Sequence, residues 1–142
     1  MNLCDVNVLI YAMREDTPHH VAALSWLESV LEGEEVFGWH PLLGASLLQI
    51  TTNRRIFAEP SSPEQCLEFI NAIFAAPATQ RIAEGERFWS LFTDLIVRYH
   101  IQGPRISDVY WAALAIEQSA AFCSAGRGFG QFAELQWHDL LT

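Results

Sequence analysis

The chain has 142 residues and a formal net charge of −9, and 51% of its residues are hydrophobic. This length fits one domain of ordinary size, residues 1–142, with a sizeable apolar core. All eight basic residues are arginines, which argues against a protein that binds nucleic acid through a broad basic face. The acidic surface fits either simple solubility or a basic partner.

No segment predicts export or membrane insertion. No run approaches the roughly 20 apolar residues that span a bilayer, and Asp5 interrupts the N-terminal apolar run, which no basic residue precedes. Cys4, Cys66 and Cys123 have no CxxC spacing, which argues against a disulfide framework and a zinc site. We therefore expect a cytoplasmic protein with reduced, mostly buried thiols and no membrane partner.

The chain opens with a predicted strand. Residues 3–10 form an apolar run that Asp5 and Asn7 interrupt. Because a buried parallel strand is apolar on both faces, Asp5 is expected at the end of this strand. The carboxyl ends of parallel strands are where α/β proteins build their sites.

Helical and strand patterns then alternate to the end of the chain. Pro41 and Ser62 carry helix-start signals. The predicted elements are, in order, helix 19–31, strand 35–39, a helix from residue 41, helix 63–76, strand 79–83, helix 84–100, a helix from residue 107, strand 120–124, a glycine-rich turn 126–130 and an edge strand 135–137. This alternation predicts an α/β fold whose parallel sheet is covered by helices on both faces.

Asp5 and Asp108 are the candidate site residues. Asp5 ends the first strand and Asp108 starts a late helix, and such ends converge in a parallel sheet. Paired carboxylates bind Mg²⁺ or Mn²⁺ through oxygen, and such an ion activates a bound water. Spacing alone leaves two alternatives open: Asp108 as a helix N-terminal acid favoured by the dipole, and Asp5 as a turn-forming residue.

Four stretches in the same order resemble motifs of the PIN-domain family. Residues 5–9 look like the opening D-x-N-x-L motif, and residues 47–57 resemble the L-T-N-x-R-x-F stretch of VapC toxins. Residues 106–115 resemble the D-A-x-x-A-A-L-A helix, and residues 124–132 resemble the T-x-D-R-x-F-x-x-F turn. Because these stretches cover nearly the whole chain, it is identified as resembling a VapC-like toxin ribonuclease of a type II toxin–antitoxin system.

The resemblance implies a fold, an activity and partners. The fold is a PIN-like three-layer α/β/α sandwich with a central parallel sheet of about four to five strands. The activity is that of an endoribonuclease whose Mg²⁺ or Mn²⁺ is held by three or four acidic residues. The implied partners are an RNA substrate, a VapB-like antitoxin that blocks the site, and a second copy of the chain in a homodimer.

The acidic cluster of the family is incomplete in this chain. Asp5 and Asp108 match two of the acids, whereas Ser46 stands at the usual second position and Gly126 and Gly128 stand at the acids of the turn. Some VapC-like sequences also carry serine at the second position, and glycine is common at the last, so Gly126 is the unusual loss. We expect weaker metal binding and an inactive or weakly active chain.

Three explanations for Gly126 remain open. In the first, the chain is a natural family member that binds its target without cutting it. In the second, it carries an inactivating change that was engineered or selected. In the third, a nearby acid such as Asp139 or Glu134 replaces the missing carboxylate, although neither matches the motif. Turn geometry also tolerates glycine here.

The remaining candidates support the acids. Asn7 is predicted to orient Asp5, Ser46 to bind a metal-bound water, and Ser124 to support the metal shell, with an ordinary strand-end serine as the alternative for Ser124. Arginines predicted to contact RNA phosphates, or else to be solvated or salt-bridged, are Arg54, Arg55 and Arg127. The scattered histidines are interpreted as structural or surface residues.

Two other classes of function remain in view. One is a non-catalytic PIN-like binding module that docks RNA or a protein partner. The other is a small-molecule enzyme on a flavodoxin-like sheet, but the glycines at 126 and 128 lack dinucleotide-loop spacing and follow a late strand.

Overall fold

A sheet of five short strands organises the fold in the computed structural model, which describes all 142 residues. The strands are β1 (Asn2–Cys4), β2 (Phe37–Trp39), β3 (Thr79–Arg81), β4 (Ala121–Ser124) and β5 (Gln136–Asp139). They lie in the order β3-β2-β1-β4-β5, and every neighbouring pair is parallel. The predicted parallel sheet with an edge strand at the C-terminus is confirmed.

Helices connect these strands, as parallel pairing requires. They are α1 (Val6–Met13), α2 (His20–Glu32), α3 (Pro41–Thr51), α4 (Pro63–Ala75), α5 (Phe88–Arg98) and α6 (Ile106–Glu117), with 3₁₀ turns at Gly103–Arg105 and Arg127–Gln131. No helix combines the length and the apolar character that crossing a membrane requires.

The two faces of the sheet each carry a hydrophobic core. Side chains alternate along a strand, so Leu3 and Phe122 pack into one core with residues of α5 and α6. Cys4 and Cys123, which are register partners, pack into the other core with residues of α1 to α4. The result is the three-layer α/β/α sandwich that the sequence predicts.

The first strand ends next to Asp5 as predicted, but the helix that follows it was not predicted. β1 ends at Cys4, and the rest of the apolar run forms α1, which buries Val8, Leu9 and Ile10. Asp5 separates the two elements as the N-cap residue, with φ −69° and ψ 149°. A short apolar run fits a buried strand and a buried helix equally well, so its pattern did not separate the two.

The predicted helix 84–100 starts later than expected, at Phe88. The preceding residues form a loop that Glu117 holds, because its carboxylate accepts hydrogen bonds from the backbone N–H groups of Gly85 (2.6 Å) and Arg87 (3.0 Å). The strand predicted over 79–83 likewise ends at Arg81. These shifts move element ends and leave the order unchanged.

The start of α4 follows its sequence signal. The Ser62 hydroxyl accepts a hydrogen bond from the Gln65 backbone N–H (3.1 Å), and the Gln65 side chain accepts one from the Ser62 backbone N–H (2.8 Å). Pro63 occupies the first helical position, where its missing N–H costs nothing. This reciprocal capping box fixes where α4 begins.

We predict that Ser62→Ala lowers the free energy of unfolding by about 1 kcal/mol, because the backbone N–H of Gln65 at the helix start loses its acceptor, the Ser62 hydroxyl. Urea unfolding followed by circular dichroism measures the difference. Ser90→Ala on the exposed side of α5 is the control, with an expected change within about 0.5 kcal/mol. Equal stabilities of the two variants would contradict the capping role.

Candidate active site

The candidate site lies where the strand order of the sheet changes direction. From β1 the chain adds β2 and β3 on one side, and it later adds β4 and β5 on the other. Ligand sites of open parallel sheets form at this point, outside the carboxyl ends of the strands. Asp5 directly follows β1, and Ser124 is the last residue of the neighbouring β4.

A chain of hydrogen bonds fixes the Asp5 carboxylate. The hydroxyl of Ser124, which is fully buried, donates to Asp5 Oδ2 (2.8 Å). The same hydroxyl oxygen accepts a hydrogen bond from the backbone N–H of Gly126 (2.9 Å). The backbone N–H of Asp5 donates to the carbonyl of Cys123 (2.9 Å). The strand end, its serine and the glycine turn therefore hold one carboxylate together.

Asp108, the second predicted acid, lies in the first turn of α6. Burial raises the pKa of Asp5, hydrogen bonding by Ser124 and the backbone N–H of Asn7 oppose that rise, and the negative charge of Asp108 adds to it. Burial also raises the pKa of Asp108, against the lowering effect of the Arg105 guanidinium. The charge of Asp108 thus acts on Asp5, and the charge of Arg105 acts on Asp108.

The other predicted residues differ in their relation to the two acids. Asn7 lies in the first turn of α1, and its backbone N–H, rather than its side chain, acts on Asp5. Ser46 is partly exposed on α3, and its hydroxyl makes no hydrogen bond within the chain. Ser124, predicted from its position in the turn motif, contacts Asp5 directly.

The predicted arginines lie on the surface. Arg54 and Arg55 are exposed in the turn after α3 and form no ion pair with another residue of the chain. Arg14 anchors that turn, since its buried guanidinium stacks on Phe57 (3.8 Å) and donates to Ser61 Oγ (2.9 Å). The structure places no contact between this turn and the two acids.

Arg127 is also exposed, but it directly follows Gly126 in the turn that contacts Ser124. It therefore lies in the segment that borders the Asp5 carboxylate, unlike the arginines after α3.

The lost acid at Gly126 is not imposed by the backbone. Gly126 has φ −81° and ψ 107°, which any residue adopts. A Cβ atom there would lie 3.3 Å from Ser124 Oγ and 3.5 Å from the ring of Phe129, so a side chain fits after a shift of a few tenths of an ångström. It would project beside the Ser124–Asp5 pair.

The proposed replacement acids differ in availability. Glu134 is engaged by the Arg98 guanidinium (2.6 Å), which also lowers the pKa of Glu134. Asp139 ends β5 opposite Ser124, and its Oδ1 accepts a hydrogen bond from the Leu141 backbone N–H (3.0 Å). No group of three or more His, Cys, Asp or Glu side chains is close enough to hold a metal ion.

The side chains near the candidate site nevertheless carry the type of ligand atom that a hard divalent cation prefers. Asp5, Asp108 and Ser124 offer only oxygen atoms, which Mg²⁺ and Mn²⁺ prefer. Two carboxylates fall short in number, and water would have to supply most of the remaining ligands. The residues fit a weakly held ion.

A second polar cluster lies near the carboxyl ends of β2 and β3, and the sequence reasoning did not identify it. His40 follows β2, is buried, and its Nδ1 accepts from the Leu42 backbone N–H (3.1 Å) at the start of α3. Its Nε2 contacts Glu84 Oε1 (2.7 Å), to which the Tyr110 hydroxyl also donates. Burial and this carboxylate raise the pKa of Tyr110 to about 12. Because the polar groups of His40, Glu84 and Tyr110 are hydrogen bonded within the chain, we interpret this cluster as structural.

The pKa shift of Asp5 predicts an effect of the site on stability. Burial raises its folded-state pKa, so its stabilising contribution is complete below the ordinary value of 3.8 and is lost as pH rises through the folded-state pKa. Asp5→Asn should therefore raise the melting temperature at neutral pH, with a gain that shrinks toward acid pH.

Thermal unfolding at a series of pH values measures this effect. Glu28→Gln, on the exposed side of α2, is the control for the change in net charge and should leave the melting temperature nearly unchanged. A lower melting temperature for Asp5→Asn at neutral pH would contradict the prediction.

Comparison with known proteins places the chain in a family. No protein-family model matches, but the chain is 40% identical over 136 residues to ribonuclease VapC43 of Mycobacterium tuberculosis, covering 95% of this chain and 92% of that protein. It is 35% identical over 136 residues to ribonuclease VapC25 of the same species, covering 96% of each.

Solved structures show the same fold. The toxin–antitoxin complex VapBC2 from Rickettsia felis, bound to a promoter DNA fragment, contains a chain with a TM-score of 0.68 and 16% identity, with 97% of each chain covered. VapC20 of Mycobacterium tuberculosis, described as a sarcin–ricin loop cleaving toxin, gives a TM-score of 0.64 at 9% identity, with 95% and 98% covered. The fold, the order of the motifs and the two sequence relatives together show that the chain belongs to the family of VapC ribonucleases.

Proposed function

We propose that this chain is an endoribonuclease that depends on Mg²⁺ or Mn²⁺, with Asp5 and Asp108 as the metal ligands and a low activity in its present form. The observation that supports this most is the Asp5 carboxylate, which Ser124 holds at the switch point of the sheet and on which the charge of Asp108 also acts. The ion would supply the charge that stabilises a phosphate during cleavage and would activate a water.

The residues of the chain prepare this site in distinct ways. Ser124 holds Oδ2 of Asp5 by its hydrogen bond, and the backbone N–H of Asn7 also hydrogen bonds to this carboxylate. Asp5 and Asp108 must be ionised to bind a cation, and their raised pKa values place proton competition closer to neutrality than for free aspartates. Asn7 and Ser46 are proposed to support the acids, Asn7 through its backbone N–H and Ser46 through a metal-bound water.

The substrate that we propose is RNA. Relatives at 40% and 35% identity are named ribonucleases, and a structure with the same fold is described as cleaving a sarcin–ricin loop. Arg127, which borders the site, is proposed to contact RNA phosphates, and Arg54 and Arg55 to contact more distant ones.

The partner that we propose is a VapB-like antitoxin. The Rickettsia felis structure with this fold is a complex of such a pair. The net charge of −9 favours a basic antitoxin segment on this chain. The three buried, unpaired cysteines support action in the reducing cytoplasm.

We also propose a homodimer. Trp89 and Val97 are 68% and 72% exposed, so α5 presents two large apolar side chains to solvent on one helix. Light scattering should give twice the mass of one chain. Trp89→Ser should shift the mass toward that of the monomer, whereas Val21→Ser is the control, because Val21 is the single exposed large apolar side chain of α2. Dimers of equal stability in both variants would place the interface elsewhere.

We predict that Gly126→Asp increases both Mn²⁺ affinity and RNA cleavage by at least about tenfold, since the new carboxylate adds a charged ligand beside Asp5. Isothermal titration with Mn²⁺ and cleavage of a fluorescent RNA measure the two effects. Gly126→Asn has nearly the same shape without the charge, and it should not produce the increase.

The outcomes of this experiment separate the open explanations for Gly126. An increase in Mn²⁺ affinity and RNA cleavage shows that the glycine at position 126 alone limits the activity of the site. If Gly126→Asp folds but neither binds Mn²⁺ more tightly nor cuts RNA, the proposal of a latent nuclease centred on Asp5 and Asp108 is wrong.

The second candidate function is a non-catalytic PIN-like module that binds RNA or a protein. The absence of a third metal-binding side chain near the two acids favours it. It predicts RNA or antitoxin binding without metal-dependent cleavage, both in the natural chain and in Gly126→Asp.

A further inference from the structure

One unpaired arginine lies at the start of the helix that carries Asp108. Arg105 occupies the N-cap position of α6, three residues before Asp108, and its side chain makes no capping hydrogen bond. It is exposed and forms no ion pair or side-chain hydrogen bond, whereas Arg14 and Arg98 are both paired with carboxylates. Its positive charge acts on Asp108, where it lowers the pKa that burial raises.

Arg105 also reaches the turn that has lost its acids. Its terminal nitrogen lies 4.0 Å from the position that a Cβ atom of Gly128 would occupy, and nothing else lies within 4 Å of that position. The guanidinium therefore extends from the start of α6 toward the turn at Arg127–Gln131.

The glycine at 128 determines whether this guanidinium is available. A carboxylate attached there would lie within ion-pairing reach of Arg105 and would occupy its donors. With glycine, the planar fork keeps five N–H donors directed at solvent beside the acidic pair. Without a carboxylate at position 128, cation binding is weaker, but the Arg105 guanidinium is free to bind an anion.

We propose that Arg105 binds a backbone phosphate of single-stranded RNA at this site, independently of any metal ion. The inference rests on the proposed RNA substrate. A phosphate placed near Asp5 and Asp108 needs a neighbouring cation, and Arg105 provides one with bidentate geometry. At this one position the guanidinium attracts a phosphate and repels a basic side chain, so the charge of Arg105 favours RNA here.

Fluorescence anisotropy with a short fluorescein-labelled single-stranded RNA in EDTA tests the proposal. Arg105→Ala should weaken binding about tenfold, the size expected for one charge-assisted contact. It should also flatten the slope of log affinity against log salt by about 0.7, the value for one phosphate contact on a single strand. Arg81→Ala is the matched control, because Arg81 is exposed, unpaired and on the opposite edge strand β3.

A second pair of variants tests the role of glycine. Gly128→Asp should weaken RNA binding by pairing with Arg105, whereas Gly128→Asn, with nearly the same shape, should weaken it much less. In the Arg105→Ala background, Gly128→Asp should lose most of its effect, because the two changes act on one contact. Melting temperatures close to that of the parent show that the variants are folded.

The results separate this inference from the proposed function. If the natural chain binds the RNA but Arg105→Ala matches Arg81→Ala in affinity and salt slope, Arg105 is not a phosphate ligand and the RNA proposal stands. If the natural chain does not bind the RNA in EDTA, the metal-independent contact is overturned, whereas the proposed function is tested separately by RNA cleavage with Mn²⁺ in Gly126→Asp. Equal effects of Gly128→Asp with and without Arg105 also contradict the proposed contact.

Discussion

The structure of the site depends on the burial of one ionisable carboxylate at the centre of a parallel sheet. Asp5 follows the central strand, so its side chain loses most of its contact with water. Burying a charge is unfavourable unless hydrogen bonds or opposite charges compensate it. Ser124 compensates part of the cost, and Asp108 adds to it. Because the compensation is incomplete, the Asp5 carboxylate binds a proton or a cation more readily than an ordinary surface aspartate does.

The sheet provides the geometry for this arrangement from distant parts of the chain. Asp5 and Ser124 are 119 positions apart, yet β1 and β4 are paired in register from Asn2 to Cys4. The two hydrophobic cores hold those strands from both faces. The site is thus positioned by pairing and packing of apolar residues that take no part in its chemistry.

The order of the helices and strands was predictable from the sequence, because the residues that mark helix starts act locally. Ser62 and Pro41 mark helix starts, and the motifs pointed to Asp5 and Ser124, which the structure joins by a hydrogen bond. Helix α1 was not predicted, since a short apolar run fits strand and helix alike.

The positions of the arginines were not predictable either, because side-chain reach depends on tertiary packing. Arg105 carries no motif, and its approach to Gly128 joins two segments that are distant in sequence. Arg54 and Arg55 matched a motif, but the structure gives them no contact with the acids. A basic residue close to a candidate acid, such as Arg105 before Asp108, was the one signal available.

The ordinary backbone at Gly126 has a consequence at the level of the gene. Its φ of −81° lies in a region that every residue adopts, so the turn does not depend on glycine for its shape. The glycine codons GGT and GGC differ from the aspartate codons GAT and GAC at one base. For a gene with either of these glycine codons, a single point mutation places a carboxylate beside Ser124, and the main chain sets no barrier to it.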